Sequence, residues 1–164
     1  MAKLVVLTAA EVIALDVEGR GKARLEARTT PLARQIIGAF LERGGPLPVG
    51  ALGADPDALA HLHDADLIRI HDGHIDVAYP FSAAPTAFVV RLPDGKERYA
   101  CCATDALAIA PMVGLPVKIS TRCHHCGTPL EFSSTPEGPG ADAGGIMLWV
   151  GARTDEGCRS IDGL

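Results

Sequence analysis

In Glu97-Arg98-Tyr99-Ala100-Cys101-Cys102-Ala103-Thr104-Asp105-Ala106-Leu107, a short extended run gives way to helix-forming Ala and Leu. The spacing predicts a strand over residues 97–101 and a helix over 103–112, ended near Gly114. A thiol at such a junction faces the positive end of the helix dipole, which favours the thiolate. Asp105 follows Cys102 by three residues, about one helical turn on and on the same side. A thiolate beside a carboxyl group can hold a soft metal and move a proton. The same spacing also suits two small buried cysteines with Asp105 as a helix cap, and spacing alone leaves both readings open.

Working outward, residues 86–92 are β-branched and apolar, and Pro93-Asp94-Gly95-Lys96 is a turn, so residues 97–101 are expected to pair back on them. Residues 117–121 and 130–132 read as further strands. Residues 133–145 are rich in Pro, Gly and Ser and read as a long loop, with a last strand at 146–150 around Trp149.

Upstream, Thr29-Thr30-Pro31 is a helix start, with Leu32, Ile36, Ala39 and Phe40 at helical spacing and Gly44-Gly45-Pro46 as the stop. Residues 49–52 suit a short second helix, and Asp55 caps a third over 56–65. Residues 67–70 and 74–77 alternate across Asp72-Gly73, a hairpin signal. Residues 81–84, between Pro80 and Pro85, read as a linker. Three helices and a hairpin are the order of a winged-helix module. The expected fold is α+β: an N-terminal arm over 1–28, a winged-helix-like helical domain over 29–80, and a second domain over 85–164 of short strands with one central helix.

Of the 164 residues, 48% are apolar and the formal net charge is −5. The third helix carries Asp55, Asp57 and Asp64 and no Lys or Arg, so a phosphate backbone would repel it. Nucleic acid is not an expected partner. No apolar stretch approaches the roughly 20 residues of a membrane span. The start reads as mature sequence and the expected compartment is the cytoplasm. His61, His63, His71 and His74 read as surface histidines.

Five cysteines, an odd number, suit metal or thiol chemistry better than a disulfide framework. Cys123-His124-His125-Cys126-Gly127 is a half-site of the kind that holds zinc, which needs two further ligands. A redox pair, a half-site completed by a partner and a metal-free relic are the rival readings. Cys158 stands alone near residue 164.

Residues 78–132 resemble the organomercurial (alkylmercury) lyase family. The resemblance rests on residues 98–107, then 111–114, 117–120 and Cys123, in matching order and spacing. It implies protonolysis of a carbon–mercury bond. Cys102 would bind the organomercurial, a second cysteine would join it, and Asp105 would deliver the proton to the departing carbon. Hg(II) would then stay on the thiolates until low-molecular-weight thiols or a mercuric reductase took it, with no cofactor required. The family's second cysteine lies downstream beside an aromatic pair. No such pair follows Cys158, so the chain reads as a short or C-terminally truncated member. Cys158 is the stand-in, with Cys101, Cys123 and Cys126 as other candidates; Cys101 would assist Cys102 in mercury binding, and zinc would sit on Cys123 and Cys126. The rival function is a non-catalytic thiolate trap or metallochaperone for heavy metals. A metal-responsive regulator built on the winged helix is the third.

Overall fold

The computed structural model describes residues 11, 20–148 and 161. Most of the expected N-terminal arm, Trp149 and Cys158 lie outside the described residues.

Helix α1 spans Arg20–Arg28. Helix α2, Pro31–Arg43, begins as its sequence requires: the Thr30 side chain accepts from the Ala33 N–H at 3.2 Å, and Pro31 occupies a first-turn position where no N–H is needed. The helix ends at Gly44, whose φ of +75° suits glycine. The expected second helix is a single 3-10 turn, Val49–Ala51. Helix α3, Pro56–Asp64, starts at Asp55, whose carboxylate accepts from the Asp57 N–H.

Among the described residues, nine strands form one sheet, and every pairing between them is antiparallel. They are β1 Leu47–Pro48, β2 Ile68–His71, β3 His74–Ala78, β4 Phe81–Ser82, β5 Phe88–Arg91, β6 Glu97–Ala100, β7 Val117–Arg122, β8 Pro129–Thr135 and β9 Gly138–Pro139. The path runs β1-β3-β4-β6-β5-β7-β8-β9, with β2 on the remaining edge of β3. The fold is thus helices with an antiparallel sheet, the α+β class. Among the described residues, no helix is long and apolar enough to cross a membrane.

Three further sequence expectations need correction. Residues 81–84 are not a linker: Phe81 and Ser82 form a strand that joins β3 to β6, pairing Ala78 with Phe81 and Phe81 with Ala100. The Phe81 ring is fully buried and stacks on Phe40 of α2, with centroids 6.4 Å apart. Residues 133–145 are not one long loop either: β8 continues to Thr135 and turns back into β9. The last expected strand is absent over residues 146–148.

Helix α4, Ala103–Val113, lies against strands β5 to β9 and buries Ala106, Ile109 and Ala110. Pro111 stands inside it and has no N–H, so the helix cannot fill the Leu107 carbonyl four residues back. The hydroxyl of fully buried Ser134 on β8 donates to that carbonyl at 3.3 Å. The helix closes at Gly114, left-handed at φ +69°. A second cross-tie comes from β6. The Arg98 Nε donates to the Phe40 and Leu41 carbonyls at 2.8 Å each, capping the last turn of α2.

Replacing Phe81→Ala should lower the unfolding free energy by about 3–5 kcal/mol, the cost of removing a buried aromatic ring. Urea denaturation measures it, and a linker residue would give a near-neutral change.

Candidate functional site

Cys102 is the residue at which β6 gives way to α4. Its backbone is extended, at φ −151° and ψ −178°, and it stands at the N-cap position. The next residues turn into the helix, and Asp105 comes round in the first turn beneath the thiol. The Cys102 Sγ donates to Asp105 Oδ2 at 2.9 Å. A second contact, also 2.9 Å, links Sγ to the Thr104 hydroxyl. Both cysteine and aspartate are half-buried.

The expected thiolate-favouring environment is not what the site provides. Burial pushes the Cys102 thiol up from its ordinary value. The Asp105 carboxylate adds to the effect by its charge and by accepting the thiol proton, while the Thr104 hydroxyl opposes it. Burial also raises the Asp105 carboxyl. The Cys102 hydrogen bond and the guanidinium groups of Arg24 and Arg28 pull it back. Burial and the neighbouring carboxylate both favour the proton on the Cys102 sulfur, with Asp105 as its hydrogen-bond acceptor.

Sequence reasoning missed these two arginines and Tyr79. Arg24 and Arg28 are four apart on α1, hence on one face of a helix, which was the available signal. Arg24 stacks 4.6 Å above the Tyr79 ring and forms an ion pair with the nearly buried Asp66. Burial raises the Tyr79 phenol, with Asp105 among the charges adding to the rise. Arg28 is held below its ordinary value by burial, with Asp105 working the other way.

Asp66 also accepts from the Ile161 N–H at 3.2 Å, and the Arg69 guanidinium donates to the Ile161 carbonyl at 3.0 Å. The Ile161 side chain is fully buried. Arg69 is itself fixed by Asp76, through two hydrogen bonds of 2.9 and 3.0 Å. Residue 161 is thereby tied to Asp66, the partner of Arg24, whose charge acts on Asp105.

Of the other cysteines named from the sequence, Cys101 is buried, its N–H donates to the Pro80 carbonyl at 3.0 Å, and burial pushes its thiol far up. Cys123 and Cys126 come together at the tip of the β7–β8 hairpin. The tip is closed by Cys123 N–H to Thr128 O and Gly127 N–H to Cys123 O, each 2.8 Å. Cys126 is exposed and shares a 3.1 Å hydrogen bond with the Thr128 hydroxyl. That bond, with contacts from the Thr128 backbone and the Cys123 thiol, holds Cys126 below the ordinary thiol value. Among the described residues, no group of three or more His, Cys, Asp and Glu side chains could hold a metal ion. A four-ligand zinc site on Cys123 and Cys126 is therefore not assembled within them, because the knuckle brings only two sulfurs and its two histidines stay in solvent.

A half-buried thiol–carboxyl pair thus stands at a strand-to-helix junction, backed by an antiparallel sheet. The family profile described as MerB, alkylmercury lyase, matches residues 81–163, half of the chain, and the chain belongs to that family. It is 26% identical over 103 residues to an alkylmercury lyase of Staphylococcus epidermidis, covering 60% of this chain and 47% of that protein. A 44-residue stretch is 39% identical to the alkylmercury lyase of Bacillus cereus, covering 27% of this chain and 20% of that one. The chain thus spans about half the length or less of these curated relatives. The fold is similar to that of the mercury-bound form of MerB2, with a TM-score of 0.58 at 20% identity, over 74% of this chain and 65% of that structure.

Replacing Asp105→Asn removes the charge that holds the proton on Cys102 and leaves only a neutral amide oxygen as acceptor. The pH midpoint for Cys102 alkylation by iodoacetamide should then move to lower pH. An unchanged or higher midpoint would contradict this account of the site.

Proposed function

We propose that the chain cleaves carbon–mercury bonds by protonolysis, with Cys102 as the capturing thiol, Asp105 as the proton carrier and Cys158 as the second thiolate. The observation that carries this reading is the 2.9 Å hydrogen bond from the Cys102 thiol to the Asp105 carboxylate.

The bond sets the order of events. An organomercurial R–Hg–X binds sulfur, and sulfur must lose its proton to take the soft metal. Asp105 is already the acceptor, so the proton passes to it as X departs as an anion. The carboxyl then lies next to the mercury it has just admitted. The second thiolate adds electron density to mercury and weakens the C–Hg bond. Asp105 returns the proton to carbon, R–H leaves, and Hg(II) remains on two sulfurs. One proton, moved twice, accounts for the cycle. Burial of Asp105 suits the first step, because it raises the carboxyl's affinity for the proton it must store, and Arg24 and Arg28 limit that rise for the second.

Cys158 is supported by its place in the chain. It precedes by three residues Ile161, which is buried and whose N–H is held by Asp66, the partner of Arg24. Cys101, buried with its thiol held protonated, fits the core better than mercury capture. Helices α1 to α3 and the β2–β3 hairpin serve as a winged-helix-like packing unit that brings Arg24 and Arg28 over the site. Substrates of this kind need reduced thiols, which suits the cytoplasm, and low-molecular-weight thiols or a mercuric reductase would take the Hg(II) product.

Reduced protein given phenylmercury and excess thiol should release benzene, measured by gas chromatography. Cys102→Ser should abolish release, and Asp105→Asn should slow it by about 10²–10⁴-fold, the usual worth of a positioned proton donor. Folded wild-type protein that releases no benzene above the buffer rate would leave a thiolate trap as the function.

A further inference from the structure

The two cysteine pairs, Cys101-Cys102 and Cys123-x-x-Cys126, leave the sheet at the same end. Val89 on β5 pairs with Tyr99 on β6 and with Ser120 on β7, so the three residues form one row across adjacent strands. Strands β6 and β7 are both antiparallel to β5 and therefore run in the same direction. Cys102 follows Tyr99 by three residues, and Cys123 follows Ser120 by three. With adjacent strands about 4.8 Å apart, the two exits are separated by about 10 Å across the sheet end.

The chemistry of the two places differs. Cys102 is half-buried against its carboxylate, whereas Cys126 is exposed and Cys123 half-exposed beside it. The hairpin tip is held by its own backbone hydrogen bonds, so neither thiol is needed for packing. Four-coordinate zinc lacks its further ligands among the described residues. A soft ion that binds two sulfurs in a line does not need them. Two thiols joined by a short closed turn act as a chelate, since binding of the first makes binding of the second intramolecular.

We infer that Cys123 and Cys126 form a second thiolate site, which receives Hg(II) from the Cys102 site by ligand exchange. The relay rests on the reading of Cys102 as the capturing thiol; the dithiol site itself does not. In the exchange the Cys126 thiolate attacks mercury, a Cys126–Hg bond forms and the Cys102–Hg bond breaks. The Cys123 sulfur then replaces the remaining sulfur ligand, and the proton it gives up goes to Cys102. The second ligand leaves as a thiolate, so one thiolate and one thiol proton stand on each side and no oxidant or reductant is consumed. The transfer moves the ion from a half-buried site to an exposed one, where an external thiol can reach it.

Maleimide footprinting with peptide mass mapping tests both parts. Reduced chain loaded with one equivalent of Hg(II) as its glutathione complex should lose labelling at Cys123 and Cys126, and Cys102→Ser should keep that protection. Cys123→Ser with Cys126→Ser should shift protection to Cys102. After a phenylmercury turnover, wild-type protein should again be protected at the tip. Tip cysteines that label at the metal-free rate with inorganic Hg(II) overturn the site. Protection that stays on Cys102 after turnover overturns the relay. Benzene release is scored separately: its absence sinks the lyase reading and leaves the inorganic footprint to decide the dithiol site.

Discussion

The hydrogen bond from the Cys102 thiol to the Asp105 carboxylate exists only because helix α4 starts where it does. Were the helix to begin one residue later, the carboxylate would rotate about a quarter of a turn away from the sulfur. The start is fixed from both sides. Strand β6 delivers Cys102 in an extended conformation, with Ala100 paired to both β4 and β5. Behind it, α4 is pinned to the sheet by Ala106, Ile109 and Ala110 and by the Ser134 hydroxyl at the Leu107 carbonyl. Pro111 opens that carbonyl and Ser134 fills it, so a break in the helix becomes a tie to the sheet.

The site's electrostatics are assembled from distant parts of the chain. Burial raises the Asp105 carboxyl, and Arg24 and Arg28 of α1 limit the rise. Arg24 is held by Asp66 and by the face of Tyr79, and Asp66 also receives the Ile161 N–H. The guanidinium groups that act on the carboxyl come from α1, and Arg24 is in turn held by a residue of the turn after α3 that also binds residue 161.

The sheet gives the two cysteine pairs their relation. Strands β6 and β7 have β5 between them, and that shared neighbour makes them run the same way and end at the same side. One pair meets a helix and a carboxylate, and the other meets a hairpin turn and solvent. The difference in their chemistry follows from what each strand leads into.

The sequence by itself determined the local elements. Thr30-Pro31 and Asp55-Pro56 marked helix starts, Asp72-Gly73 marked a hairpin, and Cys102-x-x-Asp105 marked a thiol and carboxyl one turn apart, because caps, turns and helical spacing act within a few residues. The family resemblance in residues 98–107 was legible for the same reason. What only the tertiary structure decided was everything that depends on partners remote in sequence. Phe81 and Ser82 look like a linker between prolines until β3 and β6 pair with them. Arg24 and Arg28 are charges on a short helix until folding sets them beside Asp105. The thiol at the head of α4 was expected to lose its proton readily from the helix dipole, and burial with a neighbouring carboxylate reversed that direction. Spacing fixes which two groups can meet, whereas desolvation and long-range charge fix what they do when they meet, and no local stretch of sequence contains either.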